Sequence, residues 1–170
     1  GGDGGTLREA LRHPTVRRAT LVEIDPEVTV VSQEFFPSLA CSFSSPKVIT
    51  RAADGAEYLA AAKEKFDVIL VDAPDPVGPA RSLNTLEFFA AASNALTDQG
   101  VFAMQTESLH FHVDFVSRVQ ELMGRVFPWV GLYSVPLATY AGNWWSFSMA
   151  ARVPLTAGPV RPSLPDTLYY

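Results

Sequence analysis

The chain has 170 residues, 48% of them hydrophobic and 18% charged, which is the balance of one globular domain with a sizeable core rather than of a disordered or fibrous chain. Thirteen Lys and Arg against 18 Asp and Glu leave a net charge of -5, so the basic footprint needed for nucleic acid or an anionic membrane is missing and small cationic partners suit better. The single cysteine, Cys41, excludes an internal disulfide framework and a cysteine-cluster zinc site; with no apolar run of membrane-spanning length and no signal-like start, the expected compartment is the cytoplasm.

The opening Gly1-Gly2-Asp3-Gly4-Gly5 is a glycine loop feeding a helix over Thr6 to Arg12. Ala19 to Ile24 reads as a buried strand, and Asp25-Pro26 supplies a cap and a first-turn proline for a helix from Glu27 to Phe36 that Pro37 ends. A strand around Val48-Ile49-Thr50, a turn at Asp54-Gly55 and a helix from Ala56 to about Lys63 repeat the pattern. Phe66 to Asp72 is the clearest strand, an apolar run bounded by carboxylates. A proline-rich loop over Ala73 to Asn84 leads to a capped amphipathic helix from Thr85 to Leu96. A strand from Gly100 to Gln105 and a helix from Val113 to Phe127 follow. Two aromatic-rich strands, Val130 to Val135 and Trp144 to Ala151, close the pattern as an antiparallel hairpin turning at Ala141-Gly142-Asn143. Residues 153–170, with Pro154, Pro159, Pro162 and Pro165, read as an extended segment.

This alternation predicts a doubly wound, mostly parallel α/β sheet, which places ligands outside the carboxyl ends of its strands. A glycine loop of this kind normally hangs from a first, central strand, yet the chain begins at the loop. A truncated or partly recorded chain is the expectation, with two half-sheets bearing unpaired edges.

The acids fall at strand ends: Asp3 in the loop, Glu23 and Asp25, then Asp54, then Asp72 and Asp75. The loop glycines Gly2 and Gly4 let backbone approach a ligand, and Glu23, about 20 residues on, can accept from both ribose hydroxyls. Asp54, before Gly55, can accept an adenine amino proton, although an acid in that context is commonly just a turn or cap residue. Asp3 would repel a pyrophosphate, whereas an S-adenosyl sulfonium fits an acidic cleft, and a decarboxylated donor would offer Asp3 an aminopropyl ammonium. Asp72 and Asp75, three residues apart on a proline-rigid loop, match a dication: Asp72 can orient a diamine nitrogen and take its proton, while Asp75 holds a cationic amine. Gln105 and the Tyr140 phenol are the polar contacts, and aspartates that merely cap the loop are the structural alternative for the acid pair.

Together these residues resemble the polyamine aminopropyltransferases, nearly end to end. The resemblance is carried by the glycine loop with Leu7-Arg8-Glu9, Leu21-Val-Glu-Ile-Asp25, Phe35-Phe-Pro-Ser-Leu39, Asp54-Gly55, Phe66-Asp67-Val68 and Asp72-x-x-Asp75-Pro-x-Gly-Pro79. Gln105 with Glu107, Phe127-Pro128, Thr139-Tyr140 and Leu168-Tyr169-Tyr170 continue it. It implies a Rossmann-like, methyltransferase-type catalytic domain over residues 1–152, lacking its first strand and the family's small N-terminal β domain. It further implies transfer of the aminopropyl group of decarboxylated S-adenosylmethionine to a diamine, putrescine foremost, by direct displacement, giving spermidine and methylthioadenosine without a metal. By the same resemblance Asp3 and Asp72 hold the aminopropyl amine, Glu23 and Asp54 hold ribose and adenine, and Pro79 lines the adenine pocket. Asp72, Asp75, Gln105 and Tyr140 match diamine-site positions, and the full-length protein is expected to be a homo-oligomer, dimer or tetramer.

Departures from the family pattern bear on the acceptor: Ala73-Pro74 between the two acids, Ala138 before Thr139-Tyr140, Asn84 at a commonly aromatic position, and Trp144-Trp145 after the turn. Agmatine, cadaverine or a longer polyamine are the alternatives to putrescine. Two other functions compete, a small-amine methyltransferase using ordinary S-adenosylmethionine and a catalytically silent polyamine-binding module. His110 and His112 read as solvent or cap residues rather than metal ligands, and Cys41 as a small buried or loop residue rather than a nucleophile.

Overall fold

Caps and prolines set the helix boundaries in the computed structural model, which describes residues 1–155. The described chain divides into two units, residues 1–55 and residues 56–155. Residues 156–170, and with them Tyr169, Tyr170 and most of the extended segment expected over 153–170, lie outside the described residues.

In the first unit, Gly4 adopts the left-handed backbone at φ 88° and starts helix α1 (Gly5–Leu11). Strands β1 (Ala19–Glu23) and β2 (Val48–Ala52) pair in parallel, Ala19 opposite Val48 and Glu23 opposite Ala52. Between them, helix α2 (Pro26–Phe35) begins where Asp25 accepts a hydrogen bond from the Glu27 N–H at 3.0 Å, with Pro26 in the first turn. Pro37 ends α2 as expected but also opens α3 (Pro37–Ala40), which runs into a 3₁₀ turn over Cys41–Ser44. Cys41 is exposed there, which settles its two readings in favour of a surface position. Helix α4 (Gly55–Ala60) opens at the boundary of the two units and is shorter than expected.

The second unit has the strand order β3-β4-β6-β5, formed by β3 (Phe66–Val71), β4 (Leu96–Ser108), β5 (Trp129–Pro136) and β6 (Trp144–Ala151). Strands β3 and β4 run parallel, and β6 is antiparallel to both β4 and β5, so the closing hairpin enters with its second strand against β4. Helix α5 (Leu86–Ala95) is capped by Thr85, whose hydroxyl accepts from the Phe88 N–H at 3.2 Å. The expected loop before it contains a 3₁₀ helix over Gly78–Asn84. Helix α6 (Val113–Gly124) buries Val116, Val119 and Met123 against the sheet.

The core of this unit is built from Phe88 and Phe89 of α5, Phe102 of β4 and Phe127 after α6. Phe102 is the hub, with ring centroids 5.9 Å from Phe89, 6.1 Å from Phe88 and 6.0 Å from Phe127. Strand β4 is the largest departure from the sequence reading, since it continues past Gln105 through Thr106, Glu107 and Ser108. Among the described residues no helix is long and apolar enough to cross a membrane.

Phe102→Ala should therefore cost roughly 3–5 kcal/mol of stability, whereas Cys41→Ser on the surface should stay within about 0.5 kcal/mol. Urea unfolding of the two variants measures both.

Candidate active site

In the first unit the parallel register brings the carboxyl ends of β1 and β2 to one edge, with Glu23 ending one strand and Asp54 two residues beyond the other. The Ala53 N–H donates to the Glu23 carbonyl at 3.0 Å, tying the two ends together. The glycine loop meets the same edge: a Cβ on Gly2 would lie 2.3 Å from Glu23 Oε2 and 2.7 Å from its Cγ. With Glu23 in this rotamer, glycine lets the loop backbone lie this close to the acid, and a Cβ would push the Glu23 side chain aside. Glu23 Oε1 accepts from the Asp25 N–H at 3.0 Å, which fixes the carboxylate with Oε2 on the loop side. Asp3 Oδ1 accepts from the Gly5 N–H at 3.0 Å, so this acid braces the loop as well as carrying charge. Gly2, Asp3, Gly4 and Glu23 thus form one local group, with Asp54 and Gly55 at the same sheet edge.

In the second unit β3 ends at Val71 opposite Met104, and Asp72 follows at the carboxyl edge. Asp72 and Asp75 are exposed on the loop that leads into the 3₁₀ helix, and Pro79 is exposed in the first turn of that helix. Gln105 anchors this loop, its Nε2 donating to the Ala73 carbonyl at 2.9 Å. Because β6 is antiparallel, its first residues reach the same edge, where Ser108 pairs with Trp145. Tyr140 stacks on the buried Trp145 with ring centroids 4.3 Å apart and planes 23° from parallel. Its turn is closed by the Tyr140 N–H to Leu137 and the Asn143 N–H to Tyr140, both at 3.2 Å. Asp72, Asp75, Gln105 and Tyr140 therefore belong to one edge of one sheet, with Pro79 farther along the same loop.

Glu107 is the residue that sequence reasoning left without a role. Between Gln105 opposite Phe147 and Ser108 opposite Trp145, two residues of β4 face the single Ser146, a β-bulge that puts Glu107 at φ 74°. Ser146 Oγ lies 2.9 Å from the Glu107 carbonyl, and the Glu107 N–H donates to Gln105 Oε1 at 3.1 Å. The buried carboxyl meets two groups, Asp75 through a hydrogen bond between the side chains and His112 Nδ1, which lies 3.1 Å from its Oε2. Burial, then the Asp75 carboxyl, raise the Glu107 carboxyl above its ordinary 4.5, with His112 acting in the opposite direction. A signal was present in the sequence, an acid two residues past Gln105 and a histidine five further on, but it points to a site only once the bulge is known. Among the described residues no group of three or more His, Cys, Asp or Glu could hold a metal ion.

Gly4→Ala should destabilise by about 1–3 kcal/mol, because it combines a left-handed backbone with a Cβ only 3.2 Å from the Leu39 carbonyl. Gly2→Ala should cost less, since the flexible Glu23 side chain can move aside; thermal unfolding separates the two. A raised carboxyl binds its proton more tightly in the folded protein than in the unfolded one. Stability should consequently fall as pH rises from 4.5 through the higher folded value, and Glu107→Gln should flatten that slope in pH-dependent denaturation.

A family model described as "Spermine/spermidine synthase domain" matches residues 1–157. The polyamine aminopropyltransferase of Hydrogenobaculum sp. is 48% identical over 153 residues, covering 90% of this chain and 55% of that protein. Polyamine aminopropyltransferase 1 of Aquifex aeolicus is 45% identical over 170 residues, covering 100% of this chain and 61% of that protein. A crystal structure of spermidine synthase with the transition-state analogue AdoDATO superposes with a TM-score of 0.87 at 36% identity, over 90% of this chain and 53% of the other. Spermidine synthase from Thermotoga maritima gives 0.84 at 35% identity, over 90% and 52%. The chain therefore spans little more than half the length of these relatives. Its fold is the Rossmann-like, methyltransferase-type α/β fold of the two synthases. By the family model and by these relatives, the chain belongs to the spermine/spermidine synthase family.

Proposed function

We propose that the chain carries the catalytic domain of a polyamine aminopropyltransferase, residues 1–152, with 153–170 as an extended segment. The reaction moves the aminopropyl group of decarboxylated S-adenosylmethionine to a diamine, putrescine foremost, yielding spermidine and methylthioadenosine. The observation that carries this reading is the Asp72–Asp75 loop, two exposed carboxylates at a strand end fastened to the sheet through Gln105, in a chain of this family.

The donor residues suit a cationic nucleoside. Glu23, held by the Asp25 N–H, keeps an oxygen on the loop side for ribose hydroxyls, and Gly2 and Gly4 give the backbone room to approach. The family resemblance assigns Asp54, Gly55 and Pro79 to the adenine, and Asp3 and Asp72 to the aminopropyl ammonium. Carboxylates throughout this set favour a sulfonium and an ammonium over a pyrophosphate.

The acceptor residues hold and activate the diamine. Asp75 holds an ammonium, Gln105 and Tyr140 supply polar contacts, and Asp72 takes the proton from the attacking nitrogen. The deprotonated nitrogen forms a bond to the methylene beside the sulfonium as the carbon–sulfur bond breaks, and the sulfur leaves with that electron pair in methylthioadenosine. Two fixed charges align the nitrogen with that carbon, which makes positioning the main contribution of the protein. The reading extends to a metal-independent, cytoplasmic homo-oligomer.

Calorimetric titration with decarboxylated and ordinary S-adenosylmethionine, followed by product analysis with a diamine panel, tests the proposal. Selective binding of the decarboxylated donor and formation of methylthioadenosine with a longer polyamine are expected. Preference for the ordinary donor with a methylated amine as product would replace the reading by a methyltransferase. Asp72→Asn should lower kcat by about 10²–10⁴-fold with a much smaller change in donor Kd; a lost donor affinity with turnover per bound complex preserved would remove Asp72 as the base.

A further inference from the structure

Resting on that reading, we propose that Glu107 is a positioning residue of the acceptor site, holding Asp75 through a carboxyl–carboxylate hydrogen bond and passing its proton to solvent through His112 when a diamine binds. The geometry separates the three groups by exposure. Glu107 is buried at the bulge, with its side chain 6% exposed, whereas that of His112 is 54% exposed and reaches solvent at the start of α6. Asp75 lies on the exposed loop that Gln105 holds, and Gln105 also receives the Glu107 N–H, so the loop and the bulge are braced by one side chain.

A hydrogen bond between two carboxyls requires one proton between them. Burial and the Asp75 carboxyl favour Glu107 as its holder. Strand β6 faces the bulge with the hydroxyl of Ser146, and the start of α6 brings His112, with Asp114 exposed in its first turn. The ionisable neighbours acting on Glu107 are therefore Asp75 on one side and His112 on the other. An ammonium group placed against Asp75 makes ionised Glu107 favourable, because the pair can then carry two negative charges. The Glu107 O–H proton passes to Nδ1 of His112 and from the imidazole to water, so the diamine enters and one proton leaves.

The test is titration of putrescine into the protein with methylthioadenosine present, so that no transfer follows, at a series of pH values from about 4.5 to 8, where both amines are protonated. Repeating it in buffers of different ionisation enthalpy counts the protons released. Wild-type protein is expected to release up to about one proton per putrescine, with affinity rising with pH. Glu107→Gln should abolish the release and weaken putrescine about tenfold at the upper end of the pH range. His112→Asn, on the exposed side, should keep the release but move it to higher pH, because the imidazole that lowers the Glu107 carboxyl is gone. Release that is absent in wild type, unchanged in Glu107→Gln, or superimposable on wild type in His112→Asn overturns the proposal. If Glu107→Gln does not fold, the His112→Asn curve decides alone. A product assay on the same wild-type preparation keeps the two readings apart: spermidine formed without the proton signature overturns this inference only, whereas no aminopropyl transfer overturns the function itself.

Discussion

The residues proposed to hold the acceptor depend on one irregularity in hydrogen bonding, the bulge where Thr106 and Glu107 of β4 oppose the single Ser146 of β6. In a regular ladder the side chains would alternate across the sheet, and Glu107 would fall on the face opposite Thr106 and Ser108. The extra residue breaks that alternation, and Thr106, Glu107 and Ser108 are all buried. A left-handed backbone at a glutamate costs about 1–3 kcal/mol, and a buried hydroxyl network opposes that cost. Ser146 Oγ reaches the Thr106 and Glu107 carbonyls at 3.1 and 2.9 Å, Ser148 Oγ donates to Thr106 Oγ1 at 3.0 Å, and Gln120 Nε2 donates to Ser148 Oγ at 2.7 Å. Every member has a partner, the condition under which buried polar groups specify a structure rather than weaken it.

The two units approach recognition differently. The glycine loop works by the absence of a side chain, since Gly2 brings main chain against Glu23 where a Cβ would collide. The Asp72–Asp75 loop works by added side chains, because Gln105 bridges the loop and the bulge and Trp145 supports Tyr140 by stacking. On the proposed reading, close approach would serve a large, flat nucleoside, and a braced carboxylate pair a thin, flexible chain whose only handles are its charged ends.

What could be read from the sequence follows the range of the interactions involved. Asp25 before Pro26 and Thr85 before Leu86 announce helix starts within a few residues, and both caps form. The strand ends carrying Glu23 and Asp72 were also legible, because short apolar runs bounded by acids end where the acids begin. The continuation of β4 to Ser108 was not, since its last residues are polar and only pairing with Trp145 makes them strand. For the same reason the sequence singles out Glu107 only through a family resemblance, and His112 reads as a solvent or cap residue. It does precede α6, but it also meets a carboxyl that the strand register alone brings within reach.

The single cysteine has a practical consequence. Cys41 is exposed at the start of the 3₁₀ turn whose Phe43 ring lies 2.8 Å from where a Gly4 Cβ would stand. A thiol-directed fluorophore would attach at one place in this chain, two residues from the ring that packs beside the left-handed Gly4. Such a label would sense rearrangement of that loop in real time, without any change to an acidic side chain.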